Sequence, residues 1–105
     1  MAARWTKESF EEQIQSTEHL ILADFYSDFC VPCKKLSPIL GDLEDQYGDQ
    51  LTVGKINVSY ETELAHEYEV KATPTLLFIR NGQVADRLEG AVKKAELEEK
   101  IKRYV

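Results

Sequence analysis

Residues 20–34 have the sequence LILADFYSDFCVPCK, in which an apolar run is followed closely by two cysteines three positions apart. The apolar run predicts a buried strand over Leu20–Tyr26, interrupted only by Asp24. A helix is predicted over about residues 30–47, because apolar residues recur along it at helical spacing. Pro38 is expected to kink that helix. The cysteine pair is therefore predicted at the junction between a strand and a helix.

The rest of the chain alternates between helix and strand patterns. Thr6 is a suitable helix N-cap, and Asn81-Gly82 is a strong hairpin signal between two apolar arms. We predict a short strand at 2–5, helices at 7–16, 61–68 and 92–104, and strands at 51–58, 75–79 and 84–88. Because strand–helix–strand units pair in parallel and hairpins are antiparallel, this order predicts an α/β fold with a mixed sheet and helices on both faces.

The bulk properties narrow the classes of protein that fit. A length of 105 residues suits one domain spanning residues 1–105, and a formal net charge of −6 disfavours binding to nucleic acids or anionic membranes. The longest apolar runs have the length of strands, and the N-terminus lacks an apolar targeting segment. A small secreted domain held by disulfides usually has more than two cysteines. We therefore expect a cytoplasmic monomer that contacts neither nucleic acid nor membrane.

The spacing of Cys30 and Cys33 suits thiol–disulfide exchange. A helix N-terminus offers free N–H groups and a partial positive charge, which stabilise the thiolate that attacks a disulfide. We expect Cys30 to be the exposed nucleophile and Cys33, one turn into the helix, to be the buried thiol that resolves a mixed disulfide. Pro32 is compatible with the first helical turn, and Lys34 and Lys35 add positive charge nearby.

Two other interpretations of the cysteine pair are half of a zinc site and an inert structural disulfide. A structural zinc site needs four ligands, and only His19 and His66 remain as typical partners. A disulfide that closes so short a loop stabilises little. A Cys-x-x-Cys pair in a strand–helix–strand unit is more typical of redox activity, so we expect no metal.

The segment from Asp24 to Lys34 resembles the active-site segment of the thioredoxin family. Further matches are Pro38-Ile39-Leu40, Leu51-Thr52-Val53, Lys55-Ile56-Asn57, Thr73-Pro74-Thr75, Asn81-Gly82 and Gly90. The resemblance extends from about Trp5 to the C-terminus. It implies a thioredoxin fold, with a central five-stranded mixed sheet flanked by four helices. It also implies reduction of disulfides in target proteins through a reversible Cys30–Cys33 dithiol, no bound cofactor besides that disulfide, and regeneration by a thioredoxin reductase.

The resemblance gives roles to residues outside the cysteine motif. It makes Asp24 a buried carboxyl that accepts the proton of Cys33 and Lys55 the lysine near that carboxyl; the alternatives are an ordinary hydrogen-bonded aspartate and a solvated lysine. It makes Pro74, after Thr73, the cis-proline beside the redox pair, which leaves the preceding backbone free to pair with a substrate strand; the alternative is a simple proline at the start of a strand, since most X–Pro bonds are trans. It makes Gly90 the glycine at which substrate approaches, where the alternative is a simple turn residue.

Several positions depart from the family pattern. The usual tryptophan before the first cysteine is Phe29, and the usual glycine between the cysteines is Val31. We assign six residues to the substrate-binding surface: Phe29, Val31, Pro32, Thr73, Pro74 and Gly90. Glu89 occupies a position that is often apolar at the docking surface. These departures affect partner choice, reductase recognition and redox potential rather than the thiol chemistry.

Three functions are compatible with the sequence. The leading one is a protein-disulfide reductase. A disulfide oxidant or isomerase is the second, although Val31-Pro32 supplies no polar group of the kind that stabilises the reduced pair in strong oxidants. The third is a docking or scaffold subunit that uses the fold without catalysis, against which the intact cysteine pair argues.

Overall fold

The computed structural model describes residues 2–105, which form a five-stranded sheet with helices on both faces. The strands are β1 (Ala3–Arg4), β2 (Leu20–Tyr26), β3 (Leu51–Asn57), β4 (Thr75–Arg80) and β5 (Gln83–Glu89). The helices are α1 (Lys7–Ser16), α2 (Val31–Tyr47), α3 (Thr62–Glu67) and α4 (Lys94–Tyr104), with a short 3₁₀ turn at Gly48–Gln50. None of the helices in this part of the chain is long and apolar enough to cross a membrane.

The sheet has the strand order β1-β3-β2-β4-β5. β3 runs parallel to both β1 and β2, whereas β4 is antiparallel to β2 and β5 is antiparallel to β4. The parallel half requires helical crossovers, and the antiparallel half closes through the hairpin at Asn81-Gly82. The predicted α/β architecture with a mixed sheet and four helices is therefore confirmed.

Two apolar cores lie on opposite faces of the sheet. One contains the buried residues of α2 and α4 packed on β2, β3 and β4. The other contains Trp5 and the buried residues of α1 and α3, packed on the alternate residues of the same strands. Because side chains alternate across a strand, Leu20 and Leu22 face α2 and α4 while Ile21 and Ala23 face α1 and α3.

The same alternation places Asp24 on the sheet face covered by α2 and α4. In register with Asp24 are Lys55 of β3 on one side and Leu76 of β4 on the other. Cys33, like Leu36, is on the buried side of α2. The single charged interruption of β2 thus lies on the sheet face that carries the helix with the second cysteine.

Most predicted boundaries agree with the structure within one or two residues. α2 begins at Val31 because Cys30 is its extended N-cap, and Pro38 lies inside this helix. α4 begins at Lys94 rather than residue 92, since Lys93 has an extended backbone and forms the N-cap. α3 is shorter than predicted at both ends, and Tyr68 is its C-cap.

Candidate functional site: a disulfide at the start of a helix

Cys30 and Cys33 form a disulfide with their Cα atoms 5.2 Å apart. Cys30 is the N-cap of α2, and the backbone N–H of Cys33 donates to the Sγ of Cys30 at 3.1 Å. Such a donor at a helix N-terminus stabilises negative charge on sulfur. The site therefore has the electrostatics that a thiolate nucleophile requires.

The expected exposure of Cys30 is wrong for this oxidised form. Cys30 is 8% exposed and Cys33 is 4% exposed, so that both residues are buried. The reason is local: the disulfide and the hydrogen bond from the Cys33 N–H hold the Cys30 sulfur against the first turn of α2. Access to the sulfur therefore depends on the residues around the pair.

Apolar side chains on either side of Cys30 project into solvent. Phe29 is 95% exposed and Val31 is 60% exposed, and Pro32 is exposed as well. Large exposed apolar groups next to one another are uncommon on a protein surface unless they contact a partner. The predicted substrate-binding residues of this segment thus form an apolar rim beside the disulfide.

The loop before β4 contacts the segment that precedes Cys30. The Thr73–Pro74 peptide bond is cis, as the resemblance implied, and Pro74 is buried. The Pro74 carbonyl accepts a hydrogen bond of 2.9 Å from the N–H of Gly90, which has a φ of +79°. The Thr73 hydroxyl is 3.4 Å from that of Ser27, in the loop before Cys30. These contacts bring the predicted loop and glycine together at one end of the sheet.

Asp24 is fully buried, and neither of its carboxyl oxygens has a hydrogen-bond partner among the described residues. Burial raises the pKa of Asp24 to about 7, because the charged form loses its hydration, while the charge of Lys55 opposes that rise. An ordinary buried aspartate is hydrogen-bonded. Asp24 therefore differs from an ordinary buried aspartate in having no hydrogen-bond partner among the described residues and a pKa close to neutral.

Lys55 is next to Asp24 in register, but its ammonium group bonds elsewhere. Its Nζ donates to Ser37 Oγ at 2.9 Å and lies 4.7 Å from the centre of the Tyr26 ring. A cleft of about 240 Å³ is lined by Cys33, Ser37 and Lys55, among others. Lys55 thus affects the pKa of Asp24 through its charge rather than through a hydrogen bond. The cleft places Lys55 and Cys33 around the same opening.

Two residues of the site were absent from the sequence-based prediction. Ser27 contacts Thr73, and Ser37 holds Lys55. The position of Ser37 could have been found from the sequence, because it follows Cys33 by four residues and therefore lies on the same side of α2. The contact between Ser27 and Thr73 joins segments that are distant in sequence, and no local pattern indicates it.

Other residues considered in the sequence have structural surroundings. His19 hydrogen-bonds Thr52 at 2.6 Å, and Trp5 packs over Gly54, where a Cβ would run into its ring. Within residues 2–105, no group of three or more histidine, cysteine and acidic side chains is arranged to hold a metal ion.

A buried carboxyl on β2, a disulfide at the N-terminus of the helix that follows this strand, and a cis-proline loop are together typical of a thiol–disulfide oxidoreductase on an α/β fold. The family model for thioredoxin matches residues 1–103. The chain is 38% identical over 94 residues to a thioredoxin of Buchnera aphidicola, covering 90% of this chain and 87% of that protein. It is 30% identical to thioredoxin 1 of Synechococcus elongatus, covering 100% of this chain and 98% of that protein. The chain belongs to the thioredoxin family.

A plant relative is similar over a part of its length. The chain is 35% identical over 100 residues to a protein of Oryza sativa described as thioredoxin Y, chloroplastic, covering 95% of this chain and 60% of that protein. Membership of the family makes this protein a disulfide reductase that acts on disulfide-containing proteins. Its redox-active group is the Cys30–Cys33 disulfide, and thioredoxin reductases regenerate members of this family.

Proposed function

We propose that Cys30 attacks the substrate disulfide, that Cys33 resolves the mixed disulfide, and that Asp24 accepts the proton of Cys33. The observation that carries this order is the placement of Asp24. It is a buried carboxyl without a hydrogen-bond partner, on the sheet face covered by the helix whose buried side includes Cys33. A base on this face of the sheet serves Cys33 rather than Cys30, because the Cys30 sulfur already accepts a hydrogen bond from a backbone N–H.

The first step is the attack of the reduced protein on its target. The Cys30 thiolate bonds to one sulfur of the substrate disulfide, the substrate S–S bond breaks, and the released substrate thiolate takes a proton from solvent. The product is a mixed disulfide between Cys30 and the substrate. The N-cap position of Cys30 favours this step because the N–H of Cys33 points at its Sγ.

The second step releases the reduced substrate. Asp24 in its ionised form takes the proton from the Cys33 thiol, and the resulting thiolate attacks the Sγ of Cys30. The mixed disulfide breaks, the Cys30–Cys33 disulfide forms, and the second substrate sulfur leaves as a thiolate. The substrate has gained two electrons, which the cysteine pair has lost. A pKa of Asp24 near 7 allows the same group to accept and return a proton close to neutral pH.

The substrate-binding surface proposed here is formed by Phe29, Val31, Pro32, Thr73–Pro74 and Gly90. Phe29 and Val31 supply exposed apolar contact area. The carbonyl of Pro74 accepts a hydrogen bond from the N–H of Gly90, which joins the loop to the end of β5. An extended segment of the target pairs with the free backbone before Pro74, which brings its disulfide over Cys30. Val31 places a branched side chain beside the attacking sulfur and thereby restricts the protein targets that fit.

The oxidised protein must be reduced again before its next turnover. A thioredoxin reductase returns two electrons to the Cys30–Cys33 disulfide after each turnover. We place the protein in the cytoplasm, since its two cysteines form a redox pair and stable structural disulfides are rare there. The protein acts as a monomer, because the apolar rim beside the disulfide must remain free for substrate.

The proposed order is tested by trapping. Cys33→Ser removes the resolving thiol, so that the mixed disulfide between Cys30 and a protein substrate should accumulate. Cys30→Ser removes the nucleophile and should trap almost none. Both variants, reduced and incubated with a disulfide-bonded protein such as insulin, are compared on non-reducing gels followed by mass analysis of the linked peptides. Equal trapping by the two variants, or linkage through Cys33 in the wild-type protein, contradicts the proposed order.

A further inference from the structure

Arg87 of β5 makes three hydrogen bonds that link separate parts of the chain. Its Nη1 donates to the carbonyl of Tyr68 at 2.9 Å, its Nη2 donates to the carbonyl of Glu69 at 3.1 Å, and its Nε donates to Oε1 of Glu89 at 2.9 Å. The guanidinium is planar and donates in several fixed directions, which a lysine ammonium on its flexible stem does not reproduce. The three acceptors therefore have their relative positions set by one side chain.

The two carbonyls belong to the turn that ends α3. Tyr68 is the C-cap residue of this helix, and Glu69 has a positive φ of 54°. Carbonyls at a helix C-terminus lack partners within the helix, so that Arg87 supplies the missing donors. The Tyr68 ring packs edge-on against Phe10 at 5.5 Å between ring centres. The turn is thus held by the core on one side and by Arg87 on the other.

This turn leads directly into the loop that carries Thr73–Pro74. The N–H of Val70 bonds to the carbonyl of Ala65, and the chain then reaches the cis peptide within four residues. On the other side, Glu89 immediately precedes Gly90, whose N–H bonds to the Pro74 carbonyl. Arg87 therefore joins the segment before the loop to the segment that contacts it.

We propose that Arg87 is a positioning residue that fixes the Thr73–Pro74 loop against Gly90 for the binding of a substrate strand. This inference rests on the proposed function, in which that loop pairs with the target. Arg87 does not contact the reacting sulfurs, so that its contribution is to the affinity for a protein target. Small disulfides, which need no strand pairing, depend on it less.

The test compares Arg87→Gln and Arg87→Lys with the wild-type protein. Insulin is the protein substrate, a small aromatic disulfide is the second substrate, and dithiothreitol supplies electrons. We expect Arg87→Gln to raise KM for insulin about tenfold, with a smaller change in kcat and in the rate with the small disulfide. Arg87→Lys should restore only part of this loss. Amide hydrogen exchange should be faster over residues 69–73 in both variants and unchanged in β2.

Arg103→Gln is the matched control, since it removes an arginine–glutamate pair on the exposed side of α4. The inference is overturned if Arg87→Gln leaves KM for insulin within twofold of wild type, or if both substrates are affected by the same factor. It is also overturned if Arg103→Gln has the same effect. If the wild-type protein reduces the small disulfide but not insulin, the proposed function fails, and hydrogen exchange over residues 69–73 still decides whether Arg87 holds the loop.

Discussion

Two aspartates on the same face of the sheet have opposite environments. Asp24 is in β2 on the face covered by α2, where its carboxyl is buried without a hydrogen-bond partner. Asp86 is in β5, in register with Phe78 of the core beneath α4. Its carboxyl accepts from Lys100 at 2.7 Å and from the Tyr104 hydroxyl at 3.0 Å, and it also accepts from the N–H of Arg87.

The two environments shift the two pKa values in opposite directions. Burial raises the pKa of Asp24 to about 7. The hydrogen bond from Lys100 is the main cause that lowers the pKa of Asp86, with burial opposing it. A carboxylate whose pKa is lowered contributes to stability at neutral pH, whereas one whose pKa is raised reduces it. The contrast is consistent with a stabilising role for Asp86 and with the proposed role of Asp24 as the proton acceptor of Cys33.

The largest effect is expected from Asp24→Asn, which should stabilise the protein. The unfolded chain ionises this group near 3.8 and the folded chain only near 7, so that the stability of the wild type falls as the pH rises between these values. At pH 8 the variant should be more stable by about 2–4 kcal/mol, the lower end allowing for a buried unpaired amide. Near pH 4 the difference should be small. Guanidinium unfolding of the oxidised proteins at both pH values measures it, and a gain that is independent of pH contradicts a shifted Asp24.

A smaller effect of the opposite sign is expected from Asp86→Asn. The amide loses the charge-assisted contact with Lys100, which should destabilise the protein by about 1–2 kcal/mol at pH 7. The loss should shrink as the pH falls below 3.8 toward the lower folded pKa, because the wild-type carboxylate then takes up its proton. The same unfolding measurement applies. If Asp86→Asn instead stabilises the protein at pH 7, the contrast between the two aspartates is lost.

The sequence predicted the strand that carries Asp24 and the burial of this residue, but not the side-chain contacts that set the two aspartates apart. The strand at Leu20–Tyr26 and the helix over residues 7–16 were predicted with the bounds that the structure has, because apolar spacing and a capping threonine define them locally. The burial of Asp24 followed from its place in an apolar run. The missing hydrogen-bond partner did not follow, since it depends on Lys55 turning its ammonium group to Ser37 of another element.

The contacts of β5 were also beyond a sequence-based prediction. Arg87 and Asp86 were not selected, because each bonds to residues between 14 and 19 positions away in the chain. The exposure of Cys30 was predicted incorrectly for a different, local reason: the disulfide and the hydrogen bond from the Cys33 N–H hold its sulfur against the first turn of α2. Local patterns thus located the elements and the redox pair, while the surroundings of individual charged groups came from the tertiary structure.

The rate at which Cys33 resolves the mixed disulfide tests the role of Asp24 most directly. Single-turnover release of the second substrate thiol is measured from pH 5 to pH 9 for the wild type, for Asp24→Asn and for Asp86→Asn as the control. We predict that the wild-type and Asp86→Asn rates rise through a midpoint near pH 7, because Asp24 must be ionised to accept the proton of Cys33. In Asp24→Asn the rate at pH 8 should be lower by about 10²-fold and that midpoint should be absent. An Asp24→Asn variant that resolves at the wild-type rate with the same pH midpoint contradicts the proposed role of Asp24.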